Sequence, residues 1–126
     1  MGKLKELLVI AFLSLVPTLL VWLPFYLRLE SFWGIPLNQG GMAAIVANYD
    51  GPLYLVVAKT LYNIDAIKSN FQFPLPTEYY ASHFPSFPLL IRVFSVLFGY
   101  PYSMLVVTVA SSFFAIYFFN KLASEF

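Results

Sequence analysis

Apolar residues run without a single charge from Leu7 to Leu27 and again from Tyr102 to Phe119, and the polar positions gather between and outside these two stretches. The first, LLVIAFLSLVPTLLVWLPFYL, rises about 31 Å as a helix, enough for a hydrocarbon core of about 30 Å. Pro17 and Pro24 are expected to kink it, which a membrane helix tolerates where neighbours satisfy the freed carbonyls. The second, YSMLVVTVASSFFAIYFF, rises about 27 Å and spans with little tilt. Ala110, Ser111, Ser112 and Ala115 give it small residues suited to close packing against other helices. A third apolar stretch, Leu89 to Phe98, covers only about 15 Å and contains Arg92. That charge would cost about 2.5–3.5 kcal/mol at a bilayer midplane. The pattern therefore predicts an interfacial or partly re-entrant helix with its guanidinium at the headgroups.

Between the long stretches, Asp50 followed by Gly51-Pro52 reads as an N-cap with proline in the first turn. It predicts a helix over about 51–62, with Leu53, Val56, Val57 and Leu61 recurring on one face. Phe71 to Phe87 carries Pro74, Pro76 and Pro85 among aromatics and reads as an extended, ordered crossing. The whole pattern predicts an all-α integral membrane protein built as one region. Transmembrane helices at 7–27 and 102–119 are joined by a long extracytoplasmic loop, 28–101, with short interfacial helices at about 51–62 and 89–98.

Composition strengthens the membrane expectation. Only 10% of the 126 residues are charged and 60% are hydrophobic, against about 25% charged in a soluble domain. A net charge of +1 and the lack of any Lys/Arg cluster offer nothing to nucleic acid. Without cysteine there is no disulfide, thiolate metal site or cysteine nucleophile. Lys3 and Lys5 crowd the N-terminal tail and Lys121 follows the second stretch, whereas Arg28, Lys59, Lys68 and Arg92 are diluted over the long loop. The positive-inside rule then places both termini in the cytoplasm and the loop outside. The apolar run exceeds a signal peptide's usual h-region and no small-x-small cleavage site follows it, so the first helix reads as an uncleaved signal anchor.

Few residues could carry chemistry. Asp50 is a carboxylate at the expected aqueous edge of a bilayer, and capping and catalysis are compatible there. Glu78-Tyr79-Tyr80 and His83 form a second polar cluster, in which a lone histidine is more often a hydrogen-bonded structural residue than a catalyst. One histidine and scattered acids give no support for a metal site, and no cofactor is expected. Arg92 suits bidentate phosphate binding, or snorkels as an ordinary interfacial charge.

Two segments carry a resemblance. Tyr49-Asp50-Gly51-Pro52-Leu53-Tyr54-Leu55-Val56-Val57-Ala58 resembles the aromatic-Asp-x-x-x-Tyr-Leu-x-(Ile/Val)-Ala stretch in the first outer loop of GT-C membrane glycosyltransferases. It is most similar to the dolichyl-phosphate-mannose-dependent enzymes of the GPI mannosyltransferase II type and their prokaryotic homologues. Phe84-Pro85-Ser86-Phe87-Pro88-Leu89-Leu90-Ile91-Arg92 is similar to that family's Phe-Pro-x-aromatic-Pro-Leu-Leu-Ile-Arg stretch before the second span. Two positions depart from it: Tyr49 stands where many relatives carry tryptophan, and Leu53 where an aromatic or histidine is common.

The resemblance implies transfer of a hexose, mannose above all, from a polyprenyl-phosphate donor at the extracytoplasmic face. Asp50 would be the general base on the acceptor hydroxyl, Arg92 a contact to the donor phosphate, and Tyr49 and Tyr54 the lining of the sugar site, with His83 as a further binding candidate. Such enzymes have many more spans, so the resemblance implies the N-terminal part of an enzyme, inactive alone, with membrane lipid and further transmembrane helices as partners. The alternative is a non-catalytic two-span subunit or assembly factor whose aromatic loop binds partner helices.

Overall fold

The computed structural model describes residues 2–71 and 76–126, and of residues 77, 78 and 81 the backbone alone. It is mostly helical, with a long apolar helix at each end. Helix α1, Lys3–Tyr26, and the last helix, α6, Tyr100–Ala123, each have 24 residues, about 36 Å of rise. Both are long and apolar enough to cross a membrane.

These two helices pack antiparallel. At one end, Asn120 donates a hydrogen bond to the Glu6 carboxylate. At the other, the rings of Tyr26 and Tyr102 meet edge to face, 6.5 Å apart. The N-terminal end of α1 therefore lies beside the C-terminal end of α6, and the intervening chain folds at the opposite end of the pair. Pro17 and Pro24 lie inside a helix that continues through both. The hydroxyls of Ser14 and Thr18 bond back to the Ile10 and Ser14 carbonyls, at 2.6 and 3.0 Å, which satisfies polar atoms that apolar surroundings would leave unpaired.

The small residues of α6, expected to suit packing against other helices, do not seal its contact with α1. Ala11 and Ser14 on α1 and Ala110 on α6 instead line a groove of about 480 Å³, while Ser111 and Ala115 face outward. Small side chains bring helices together only when they oppose each other at the contact, and here they leave space.

Between the long helices come a two-residue hairpin, Ser31–Phe32 (β1) with Ile35–Pro36 (β2), then α2, Met42–Val46, α3, Gly51–Thr60, and α4, Ile64–Asn70. A 3₁₀ helix, Thr77–Ser82, and α5, Ser86–Phe98, follow. The hairpin loop Trp33-Gly34 has positive φ at both residues, as a tight primed turn demands.

Helix α3 is the hub of this region. Its Leu53, Val56 and Val57 pack with Ile67 and Tyr80, while Ala58 on its other side packs with Ile91 of α5 and Val107 of α6. Val57, Ala58 and Ile91 are 0% exposed. The helix stops at Thr60, two residues before its expected end, because Leu61 turns left-handed (φ 49°, ψ 46°) and gives its N–H to Val57. Leu61 is thereby exposed rather than on the buried face.

Helix α5 begins three residues earlier than expected, since Pro88 sits in its first turn, where no intrahelical N–H is required. Gly99, at φ 72°, is the one residue between α5 and α6, a reversal that L side chains resist. The expected extended crossing from Phe71 to Phe87 is corrected in its second half, where Thr77–Ser82 winds into the 3₁₀ helix after Pro76. Pro74 lies outside the described residues.

Candidate functional site around helix α3

Asp50 occupies the residue before α3, and its carbonyl accepts the first helical bond from Tyr54 at 3.1 Å. The expected side-chain cap is not made. Two features explain this. A capping carboxylate bonds the amide of the second or third helical residue from an extended backbone, whereas Asp50 is held at φ −80°, ψ 0° by a turn in which Gly51 donates to Asn48. The second helical residue is also Pro52, which has no N–H to give. The carboxylate is therefore exposed and makes no hydrogen bond among the described residues.

Gly51 is essential to this corner. A Cβ at that position would lie 2.2 Å from the Val46 carbonyl oxygen, so α2 and α3 meet only because the side chain is absent. Tyr49, on the other side of Asp50, is fully exposed and left-handed, with φ 49°.

One turn into α3, Tyr54 meets His83. Their rings are 5.0 Å apart and nearly perpendicular, and Tyr54 meets Phe87 in the same way at 5.1 Å. Tyr79 adds a tilted contact to His83 at 5.8 Å. His83 is 7% exposed, and its carbonyl accepts a 2.7 Å hydrogen bond from the Tyr62 hydroxyl. Burial raises the Tyr62 and Tyr80 phenols above their ordinary value of 10.0. The Glu78 side chain lies outside the described residues.

Arg92 lies at the other end of α3. Its Nη1 donates to both the Ala58 and Lys59 carbonyls at 2.9 Å, closing two carbonyls of the last turn. A cation at a helix C-terminus is also favoured by the macrodipole. Lys59 shares this end, with its ammonium 5.0 Å above the Tyr100 ring and 6.0 Å from that of Phe71. Along the α3 axis, Asp50 and the carbonyls held by Arg92 are about 12 Å apart.

The sequence-named residues thus fall into two groups and one outlier. At the start of α3, Tyr54 touches His83 and Asp50 lies one turn before Tyr54 with its carboxylate exposed; Arg92 sits at the helix end, and Tyr49 projects alone. Sequence reasoning missed Gly51 as a close-approach residue, Phe87 as a ring partner and Lys59 as the second cation. A lysine three residues from the end of the helix expected at 51–62 was the available signal for Lys59. Among the described residues, no three His, Asp or Glu side chains gather closely enough to hold a metal ion. Compared with protein families, curated proteins and solved structures, the chain gives no match.

Proposed function

We propose that this chain is the acceptor-activating portion of a membrane glycosyltransferase, with Asp50 as general base and a polyprenyl-phosphate hexose as donor. One observation carries the reading. The two segments that resemble the family, separate in sequence, pack as α3 against α5, joined by the Arg92 hydrogen bonds and the Tyr54–Phe87 contact. The axial separation of about 12 Å between Asp50 and the Arg92–Lys59 end, before side-chain reach is counted, is on the scale of one sugar ring and its phosphate. Arg92 has one nitrogen committed to α3, so a donor phosphate would contact the rest of its guanidinium together with Lys59.

The membrane setting is part of the proposal. Helices α1 and α6 leave most of their apolar surface uncovered, and α5 exposes Leu89, Val93, Val96 and Leu97 along one face. Lipid is the solvent that makes such surfaces stable. The basic residues put both termini on the cytoplasmic side and α2–α5 on the outer side. Further transmembrane helices, of the same or a partner chain, would complete the enclosure of donor and acceptor.

The test is transfer from a labelled polyprenyl-phosphate hexose in membranes carrying the full gene product. Asp50→Asn is expected to slow transfer by about 10²–10⁴-fold, the usual worth of general base catalysis, with folding unchanged because the carboxylate makes no cap. Transfer at the wild-type rate would remove Asp50 from the mechanism. A reporter fused after Phe126 should stay cytoplasmic, and a signal from the outer side would reverse the topology.

A further inference from the structure

At the end of the α1–α6 pair where the two chain termini meet lies a charged cleft of about 180 Å³, lined by Lys3, Glu6, Leu7, Tyr117 and Lys121. A groove of about 480 Å³ is lined by Ala11, Ser14, Ala110, Phe113 and Phe114. Leu7 and Ala11 on α1, and Tyr117 and Phe113 on α6, stand one turn apart, so helix spacing sets the cleft end-on to the groove. Leu19 and Leu105 are shared with a further pocket of about 240 Å³ toward Tyr26 and Tyr102.

We infer that this groove seats an anionic phospholipid, with its phosphate between Lys3 and Lys121 and acyl chain along the α1–α6 seam. The inference rests on the membrane reading but not on the glycosyltransferase one. The charges at this end are Lys3, Lys5 and Lys121 against Glu6 and Glu125, a net positive mouth. Glu6 is engaged by Asn120, and the Lys121 ammonium lies 5.6 Å over the Tyr117 ring, which places it beside the cleft.

The length of the groove suits a lipid chain. From Leu7 to Leu19 it follows about 18 Å of α1, slightly more than the roughly 15 Å of one leaflet's hydrocarbon.

The chain has two tryptophans, Trp22 and Trp33. With both replaced by phenylalanine, Phe114→Trp puts a single reporter in the groove, and Phe12→Trp in the same background puts one on exposed α1 surface. The proteins are placed in phosphatidylcholine vesicles containing equal small fractions of either phosphatidylglycerol or phosphatidylcholine brominated midway along the acyl chain. The Phe114→Trp reporter is expected to be quenched by the phosphatidylglycerol with a preference of about fivefold, the scale of one positive charge near an anionic headgroup. The double variant Lys3→Gln/Lys121→Gln should abolish that preference.

Equal quenching by the two lipids, or a preference surviving the double variant, would overturn the seat while leaving the membrane reading intact. Quenching at Phe12→Trp without quenching at Phe114→Trp would mean that protein fills the groove, which also overturns it. No quenching at either reporter would overturn the membrane reading, and the seat with it.

Discussion

The α1–α6 pair and the α3–α5 pair are both helices packed on helices, yet they are held in different ways. In α1 and α6 few residues are buried, Ile10, Ser14 and Pro24 on one and Ser103 and Val107 on the other, and apolar side chains point in every direction. Many substitutions between apolar residues would leave that pair as it is. The α3–α5 contact instead depends on single groups, the Arg92 guanidinium on two carbonyls and the fully buried Ala58 and Ile91, and the neighbouring α2–α3 corner depends on the missing Cβ of Gly51. Bulk apolarity specifies the first pair, and stereochemistry specifies the second.

The largest expected effect attacks the first pair. Leu13→Arg, halfway along α1, should shift a membrane-insertion equilibrium by about 2.5–3.5 kcal/mol, whereas Leu13→Phe should be nearly silent. An insertion assay that finds the arginine harmless would show that α1 is not solvated by lipid. Next, Gly51→Ala should destabilise by about 1–3 kcal/mol, as overpacking does, and shift the α2–α3 corner. An unchanged thermal midpoint in detergent would mean that the Val46 carbonyl yields freely.

Arg92→Leu is smaller, about 1 kcal/mol, because a charge-assisted bond at an exposed site competes with water. Equal stability in Arg92→Leu and wild type would relegate the α3–α5 link to ring packing. The smallest effect has the opposite sign. Tyr49→Gly should stabilise by less than about 1 kcal/mol, since relief of a left-handed backbone is partly cancelled by glycine's greater freedom when unfolded. If transfer also falls in that variant, the exposed ring has a use at the site.

The same contrast explains what is legible in the sequence. Long apolar runs declare themselves, so the helices expected at 7–27 and 102–119 are found within Lys3–Tyr26 and Tyr100–Ala123 to within a few residues at each boundary. Proline and glycine placed the start of α3 and the end of α5, whereas the start of α5, read from the apolar run, came three residues late. The hairpin at Ser31–Pro36 and helix α2 are not legible, because two- and five-residue elements depend on what packs against them. Helix α4 was within reach: Asn63 accepts from the Ala66 amide at 2.8 Å, and Asn-Ile-Asp-Ala is a recognisable start.

In the candidate site, spacing singles out Asp50 only as a helix cap, which is not made, and Tyr54 enters through the resemblance alone. The approach of His83 to Tyr54 is not legible, since it depends on which sequence-distant side chains pack against α3. Arg92 as a clasp on α3 is invisible as well. A guanidinium in an apolar stretch announces that it needs acceptors, but not which ones.

The Arg92 clasp also makes α3 a lever. Ten helical residues are stiff, Arg92 hydrogen-bonds the carbonyls at one end, and Asp50 stands at the other. A tilt of about 5° pivoting at the clasp would carry the carboxylate through about 1 Å, a displacement that in a catalytic base costs on the order of a hundredfold in rate. If Asp50 is the base proposed above, membrane thickness or lateral pressure acting on the apolar face of α5 would be felt, through one side chain, as a change in turnover.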